Sequence, residues 1–130
     1  MSNKTHCESY LYLCKECGNL IEIIHFGSSA LKCCDQDMIL LEANSTDASQ
    51  EKHVPVAVDK GGFVEVTVGS VEHPMDEKHY IPFIEVLTQD KVYRHDLKPG
   101  DKPFGVFHVK FDEVCMVRAY CNLHGLWGNK

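Results

Sequence analysis

Four cysteines crowded into one short segment constrain this chain more than any other feature. The stretch YLCKECGN supplies Cys14 and Cys17, and LKCCD supplies Cys33 and Cys34. A segment of roughly thirty-five residues is too small to fold on apolar burial alone. It must be closed by a metal, by pairing with another chain, or by both. Two thiolate pairs joined by a short hairpin can complete a tetrahedron around one ion. Gly18, directly after the first pair, suits a backbone that must turn its N–H groups toward sulfur. Small unliganded core cysteines are the plain alternative, but few structures concentrate four thiols so tightly without a ligand. Zinc ribbons repeat C-x-x-C at both knuckles. Here the second pair is adjacent, so its side chains must splay from neighbouring Cα atoms and distort the tetrahedron. That distortion favours iron without deciding it, because four thiolates accept zinc or iron.

The remaining composition sets the setting. The chain has seven cysteines, an odd number that fits a disulfide framework poorly. Its opening residues, MSNKTHCESY, lack the apolar centre of a leader, and no run of about twenty apolar residues could span a membrane. We therefore expect a cytoplasmic protein with reduced thiols. Cys7 and Cys115 take ordinary readings, the first in a loose terminus and the second inside a core strand. A net charge of −6 argues against a nucleic-acid partner. It leaves room for a small anion gathered by one local cation.

Three zones follow along the chain: residues 1–41 with the four cysteines, a polar linker EANSTDASQEK at 42–52, and residues 53–130. The last zone alternates as half-buried strands do. In GFVEVTVG, Val64, Val66 and Val68 share one face. In PFGVFHVKF, Phe107, Val109 and Phe111 point inward while His108 and Lys110 point out. VCMVRAYC aligns Cys115, Val117, Ala119 and Cys121. A Gly-Gly turn joins VPVAV to GFVEV, and YIPFIEVL and KVYRHDL supply two further strands. No segment carries convincing helical periodicity. The expected fold is all-β, a small metal unit followed by a β-sandwich of immunoglobulin-like size.

A second set of ligand types sits at strand ends. His53 opens the sandwich, His73 follows one strand, His79 precedes another, and Cys121 and His124 stand where the last strand finishes. Ends of different strands meet in space, and their loops carry function. Read singly, His53, His73 and His79 could be solvated, and Cys121 could be core. As a set, four imidazoles and one thiolate can bind one ion and leave a sixth position open. His6, His25, His95 and His108 lack such partners and take the ordinary reading.

In this combination the residues resemble the desulfoferrodoxins, two-iron superoxide reductases. The four-cysteine part is similar to desulforedoxin, of the rubredoxin-like kind. The rest is similar to neelaredoxin, with E-K-H, H-P-M, a histidine six residues later and C-N-x-H-G-x-W. The resemblance implies two irons per chain. Cys14, Cys17, Cys33 and Cys34 would hold one in a distorted tetrahedron. His53, His73, His79 and His124 would be equatorial ligands of the other, with Cys121 as the axial thiolate. The implied reaction is one-electron reduction of superoxide to hydrogen peroxide in oxidative stress defence. Imidazoles suit ferrous iron, and a thiolate opposite the open position pushes electron density toward it. Glu51 and Lys52 match a mobile pair over that position: Lys52 would steer the anion, and Glu51 would cover the ferric site. The resemblance also implies a rubredoxin-like donor, a homodimer and an immunoglobulin-like sandwich. A zinc ribbon with a non-catalytic sandwich, a superoxide dismutase and a pure electron carrier are the competing readings.

Overall fold

Short strands are all that the cysteine-rich segment can support. In the computed structural model, which describes Cys7 and residues 9–129, residues 8–42 form one compact unit. Strands β1 (Tyr10–Leu13) and β2 (Leu20–Ile23) are joined by the turn that carries Cys14 and Cys17. Strands β3 (Lys32–Cys33) and β4 (Gln36–Asp37) make a minimal hairpin, and β5 (Ile39–Leu40) returns beside β1. Leu11, Tyr12 and Cys14 are buried, but Ile21, Ile24, Phe26, Ile39 and Leu40 remain exposed. So little burial cannot by itself offset the cost of ordering the chain.

Two turns shape this unit. Gly18 has φ +84°, a left-handed conformation that glycine adopts without a Cβ penalty. Its N–H donates to the Cys14 carbonyl at 2.8 Å. At the β3–β4 turn, Cys34 and Asp35 are both left-handed, φ 54° and 61°, as a two-residue hairpin of the primed type requires. Left-handed backbone costs a residue with a Cβ roughly 1–2 kcal/mol. Here it provides the splay that adjacent ligands need.

The second unit comprises residues 43–130 together with Cys7. A single helical turn, α1 (Gln50–His53), leads into β6 (Pro55–Asp59) and β7 (Val64–Val68). Then come β8 (Phe83–Leu87), β9 (Val92–Asp96), β10 (Phe104–Phe107), β11 (Met116–Cys121) and β12 (Gly125–Asn129). A three-stranded sheet, β10-β7-β6, faces a four-stranded sheet, β12-β11-β8-β9, and all pairings are antiparallel. The fold is an all-β sandwich. Its core takes Val64, Val66 and Val68 from β7, Ile84 and Val86 from β8, and Val117, Ala119 and Cys121 from β11. Each fully buried valine or isoleucine contributes about 1.5–3 kcal/mol, so this unit stands on apolar burial.

Strand β8 is buried on both faces. Its outer face carries Glu85, fully buried and opposite Arg118 on β11 and Arg94 on β9. Arg118 Nη2 reaches Glu85 Oε1 at 2.6 Å, and Arg94 Nη2 reaches Oε2 at 2.8 Å. The Nε of each arginine donates to the same oxygens. A carboxylate can be held there because cross-strand register delivers a guanidinium from each side.

Several expectations are corrected. Within the polar stretch 42–52, residues 50–52 coil into α1, and His53 ends that turn instead of opening a strand. The strand read through Phe111 stops at Phe107, because its partner β7 begins at Val64, opposite Phe107, and offers no further backbone. Val109 still points inward, but Phe111 starts a 3₁₀ turn and is 40 % exposed. A further strand, β12, follows His124. Its two glycines hid it, since glycine is depleted in strands. Cys115 lies just before β11, not inside it, and is disulfide-bonded to Cys7 with their Cα atoms 5.5 Å apart. His6 lies outside the described residues.

Candidate metal centres

In the small unit, the turn after β1 presents Cys14 and Cys17, and the β3–β4 turn presents Cys33 and Cys34. Their four sulfurs lie within 4.8 Å of one another. Cys17 Sγ is 3.6 Å from Cys33 Sγ, which is 3.8 Å from Cys34 Sγ. A tetrahedron with metal–sulfur bonds of about 2.3 Å has edges of about 3.8 Å. Protonation points the same way. The backbone N–H of Cys17 lowers the Cys14 thiol to about 7, against some opposition from burial. Its hydrogen bond with Cys14 pushes Cys33 up to about 12, and Cys34 is raised chiefly by Cys17. One thiolate is thus stabilised at its neighbours' expense. Only a cation lets all four ionise together, so the donor set fits a thiolate-bound metal.

The second group is assembled from four separate segments. His53 ends α1, His73 precedes Pro74, His79 lies in the turn before β8, Cys121 ends β11, and His124 stands in the β11–β12 connection. The four rings form a closed circuit. Centroid separations are 4.6 Å for His53–His73, 4.7 Å for His73–His79, 5.1 Å for His79–His124 and 4.9 Å for His124–His53. Each consecutive pair is near perpendicular, while His53 and His79 face each other across 6.4 Å. One ligand atom each from His53, His79, Cys121 and His124 lies within 4.8 Å of the others. His73 completes the set through its ring contacts.

Local hydrogen bonds aim the nitrogens. His53 Nδ1 donates to the Ser49 carbonyl at 2.6 Å, and His73 Nδ1 donates to the Pro74 carbonyl at 2.6 Å. Each bond leaves Nε2 bare, the usual device for orienting a ligating imidazole. Nε2 of His73 and of His79 is buried with no hydrogen-bond partner, a costly condition unless an ion takes the lone pair. His124 presents Nδ1, 3.1 Å from His53 Nε2 and 3.7 Å from Cys121 Sγ. Two nitrogens about 2.0–2.1 Å from one ion at a right angle stand roughly 3 Å apart. The residues fit a metal bound by four imidazoles and one thiolate.

Burial also sets protonation. It drives His73 down to about 4 and lowers His53 and His79, keeping the rings neutral for ligation. Burial raises the Cys121 thiol, and the backbone N–H groups of Leu123 and His124 oppose that rise. Those two donors aim at sulfur and temper the charge it carries when ionised.

Residues that pattern alone did not reveal hold this arrangement. Asn122 Oδ1 accepts from Tyr80 N–H at 2.9 Å, and its Nδ2 donates to the Lys78 carbonyl at 3.0 Å, clamping the His79 turn to the Cys121–His124 turn. Trp127 stacks on His53 with centroids 4.9 Å apart and donates to the His124 carbonyl at 3.1 Å. Gly69, at φ +83°, lies so close to α1 that a Cβ would meet the Glu51 and Lys52 carbonyls at 2.7 Å. Val71 N–H bonds the Glu51 carbonyl, and Gly69 N–H bonds the Val54 carbonyl, both at 3.0 Å. These contacts fix the turn that carries Glu51, Lys52 and His53. The side chains of Glu51 and Lys52 are exposed, and the Lys52 charge reaches both His53 and His79. His95 and His108 lie apart, against Phe107 and Phe63.

Comparison with known proteins follows the same division. The sequence profile of the desulfoferrodoxin family matches residues 45–130, and that of the desulfoferrodoxin N-terminal domain matches residues 7–41. A desulfoferrodoxin homologue of Archaeoglobus fulgidus is 52 % identical over 90 % of this chain and 93 % of its own. The desulfoferrodoxin of Desulfarculus baarsii is 49 % identical over 90 % of this chain and 92 % of its own. Among solved structures, a superoxide reductase from Treponema pallidum superposes with a TM-score of 0.76. It shares 30 % identity, and the match covers 95 % of this chain and 99 % of that one.

Proposed function

This chain belongs to the desulfoferrodoxin family, and on that premise we propose that it works as a superoxide reductase. Superoxide, one electron and two protons give hydrogen peroxide. The observation that carries this reading is the closed circuit of four imidazoles beside the buried Cys121 thiol. His53, His73, His79, His124 and Cys121 hold the catalytic iron, and Cys14, Cys17, Cys33 and Cys34 hold a second. Bound iron supplies the single electron and a position open to a small anion. A zinc ribbon with an idle sandwich leaves this second donor set without a purpose.

The chain's own residues do the rest. Lys52 draws an anion toward a protein of net charge −6 and donates from Nζ to the product oxygens as negative charge gathers there. Glu51, next to it on the same exposed turn, covers the open position when superoxide is absent. Trp127 and the buried rings keep water from the nitrogen side, and the Leu123 and His124 N–H groups hold the thiolate in place.

The four-cysteine iron serves both to hold its small unit together and to relay electrons from a rubredoxin-like donor, in a cytoplasmic, homodimeric enzyme of oxidative stress defence. Its exposed Ile21, Ile24, Phe26, Ile39 and Leu40 support pairing with a second copy. No helix among the described residues is long and apolar enough to cross a membrane. The sheets of three and four strands support the immunoglobulin-like likeness.

Metal analysis with a donor-dependent assay tests the reading. We expect two irons per chain and peroxide formed from superoxide only while a reductant is supplied. One zinc per chain, or oxygen evolved from superoxide without a donor, overturns it.

A further inference from the structure

The seven cysteines divide cleanly. Five are free and all belong to the two metal centres, while Cys7 and Cys115 belong to neither and are joined to each other. The pairing is not a local accident, because 108 positions separate the two residues. Cys115 is tied to the sheet: its N–H donates to the Leu87 carbonyl at 2.8 Å, continuing the β8–β11 ladder by one step. It also lines an open cavity of about 460 Å³ beside Thr88, Lys91 and Tyr93. A solute far larger than peroxide can therefore approach it.

We propose that Cys7 and Cys115 are a peroxide-sensing thiol pair, oxidised to a disulfide by the hydrogen peroxide that the enzyme itself produces. The inference rests on the superoxide reductase reading for the source of its oxidant. The chemistry balances without another reagent. One thiol gives up its proton, its sulfur attacks a peroxide oxygen, the O–O bond breaks, and the departing hydroxide takes that proton and leaves as water, giving a sulfenic acid. The second thiol loses its proton and attacks that sulfur, the S–O bond breaks, and the hydroxide released takes the proton and leaves as a second water. Two thiols and one peroxide thus give one disulfide and two waters, with two electrons passing from sulfur to oxygen. The partner thiol 5.5 Å away between Cα atoms lies within the span a disulfide bridges, so the sulfenic acid is captured before further oxidation.

The position gives the bond a consequence. Cys7 immediately precedes the four-cysteine unit of residues 8–42, and the chain leaves that unit at Ala43. With the thiols reduced, the covalent connection from the small unit to residues 43–130 runs through its C-terminal end. With the bond closed the unit is attached covalently at both ends. The pair therefore converts accumulated product into a covalent change next to the four-cysteine unit.

Iron-loaded protein is reduced, desalted without oxygen, treated with a small excess of hydrogen peroxide, alkylated and mapped by mass spectrometry. We expect the Cys7 and Cys115 peptides to appear as one cross-linked species, lighter by two hydrogens than the pair. Cys7→Ser and Cys115→Ser should each lack it while retaining the colour of both iron centres. Cleavage within residues 42–52 should leave two fragments that stay joined on a denaturing gel until a reductant is added. Full alkylation of Cys7 and Cys115 in peroxide-treated wild type overturns the proposal, as do bonds that join either residue to a ligand cysteine. Peroxide yield from superoxide, measured separately, judges the reductase reading. Its loss there defeats that reading, whereas a missing cross-link with yield intact defeats only the sensor.

Discussion

Two regions of this chain gather metal-ligating side chains, and they start from opposite ends of the folding problem. In residues 8–42 the ligands come from two turns of one short segment, and five large apolar side chains remain exposed around a minimal core. In the sandwich the ligands come from four separate segments, set on a core of fully buried valines and isoleucines. The first region needs its ion in order to be a structure. The second is a structure that holds a place for an ion. The same element therefore meets two demands, closing a fold in one region and filling a prepared site in the other.

Metal withdrawal probes that contrast most strongly. Binding of structural zinc is worth roughly 10–16 kcal/mol in small domains whose folding is coupled to the metal, and an iron held by four thiolates acts in the same sense. We expect chelation to unfold residues 8–42 while leaving the sandwich strands protected in hydrogen exchange. Equal loss of protection in both regions would break the contrast. Cys14→Ser should reproduce the selective effect and abolish the visible absorption of the four-cysteine centre.

Next in size is Glu85→Ala. It leaves the buried Arg118 and the adjoining Arg94 guanidinium without their carboxylate, a loss of about 3–5 kcal/mol. The thermal midpoint of the sandwich should fall sharply, and the four-cysteine absorption should persist below the new midpoint. An unchanged midpoint would mean that bound iron, not the sandwich's own interior, holds that fold.

Gly69→Ala should cost about 1–3 kcal/mol, since its φ of +83° disfavours a Cβ and the Glu51 and Lys52 carbonyls stand in the way. The more telling readout is the spectrum of the histidine-bound iron, which should shift as His53 moves with α1. A spectrum that stays put while the midpoint falls would confine Gly69 to stability.

Smallest is Lys52→Ile, expected to slow the second-order reaction with superoxide by about tenfold and to flatten its salt dependence. A pulse-radiolysis rate unaffected by the substitution removes Lys52 from anion capture. Alongside it, Glu51→Ala should alter the ferric absorption band, and an unaltered band means that carboxylate never covers the iron.

The ligands were legible because each region advertised them in a different code. Spacing sufficed for Cys14, Cys17, Cys33 and Cys34, since their partners are neighbours in sequence. Strand alternation located Val64, Val66 and Val68, and so the strand ends and connections where His73, His79, Cys121 and His124 stand, while His53 ends the helical turn α1. What lay beyond reading was whatever depends on a partner's backbone. The end of β10 at Phe107 is set by where β7 begins. The aim of the His53 and His73 rings is set by the carbonyls of Ser49 and Pro74, which every residue carries and no side-chain pattern records. The need for glycine at position 69 follows from a helical turn that the polar stretch 42–52 gave no sign of forming. The Cys7–Cys115 bond joins residues that looked unremarkable apart.

The second donor set draws its first nitrogen from α1 and its last from the residue before β12. A ribosome delivers those positions at the two extremes of the sandwich's synthesis, so no partial chain can present all five donors. The cysteine-rich segment emerges first and holds its four sulfurs within a few dozen residues. Order of manufacture therefore separates the two irons in time: one can be loaded while most of the sandwich is still unmade, and the histidine-bound one only after His124 has emerged.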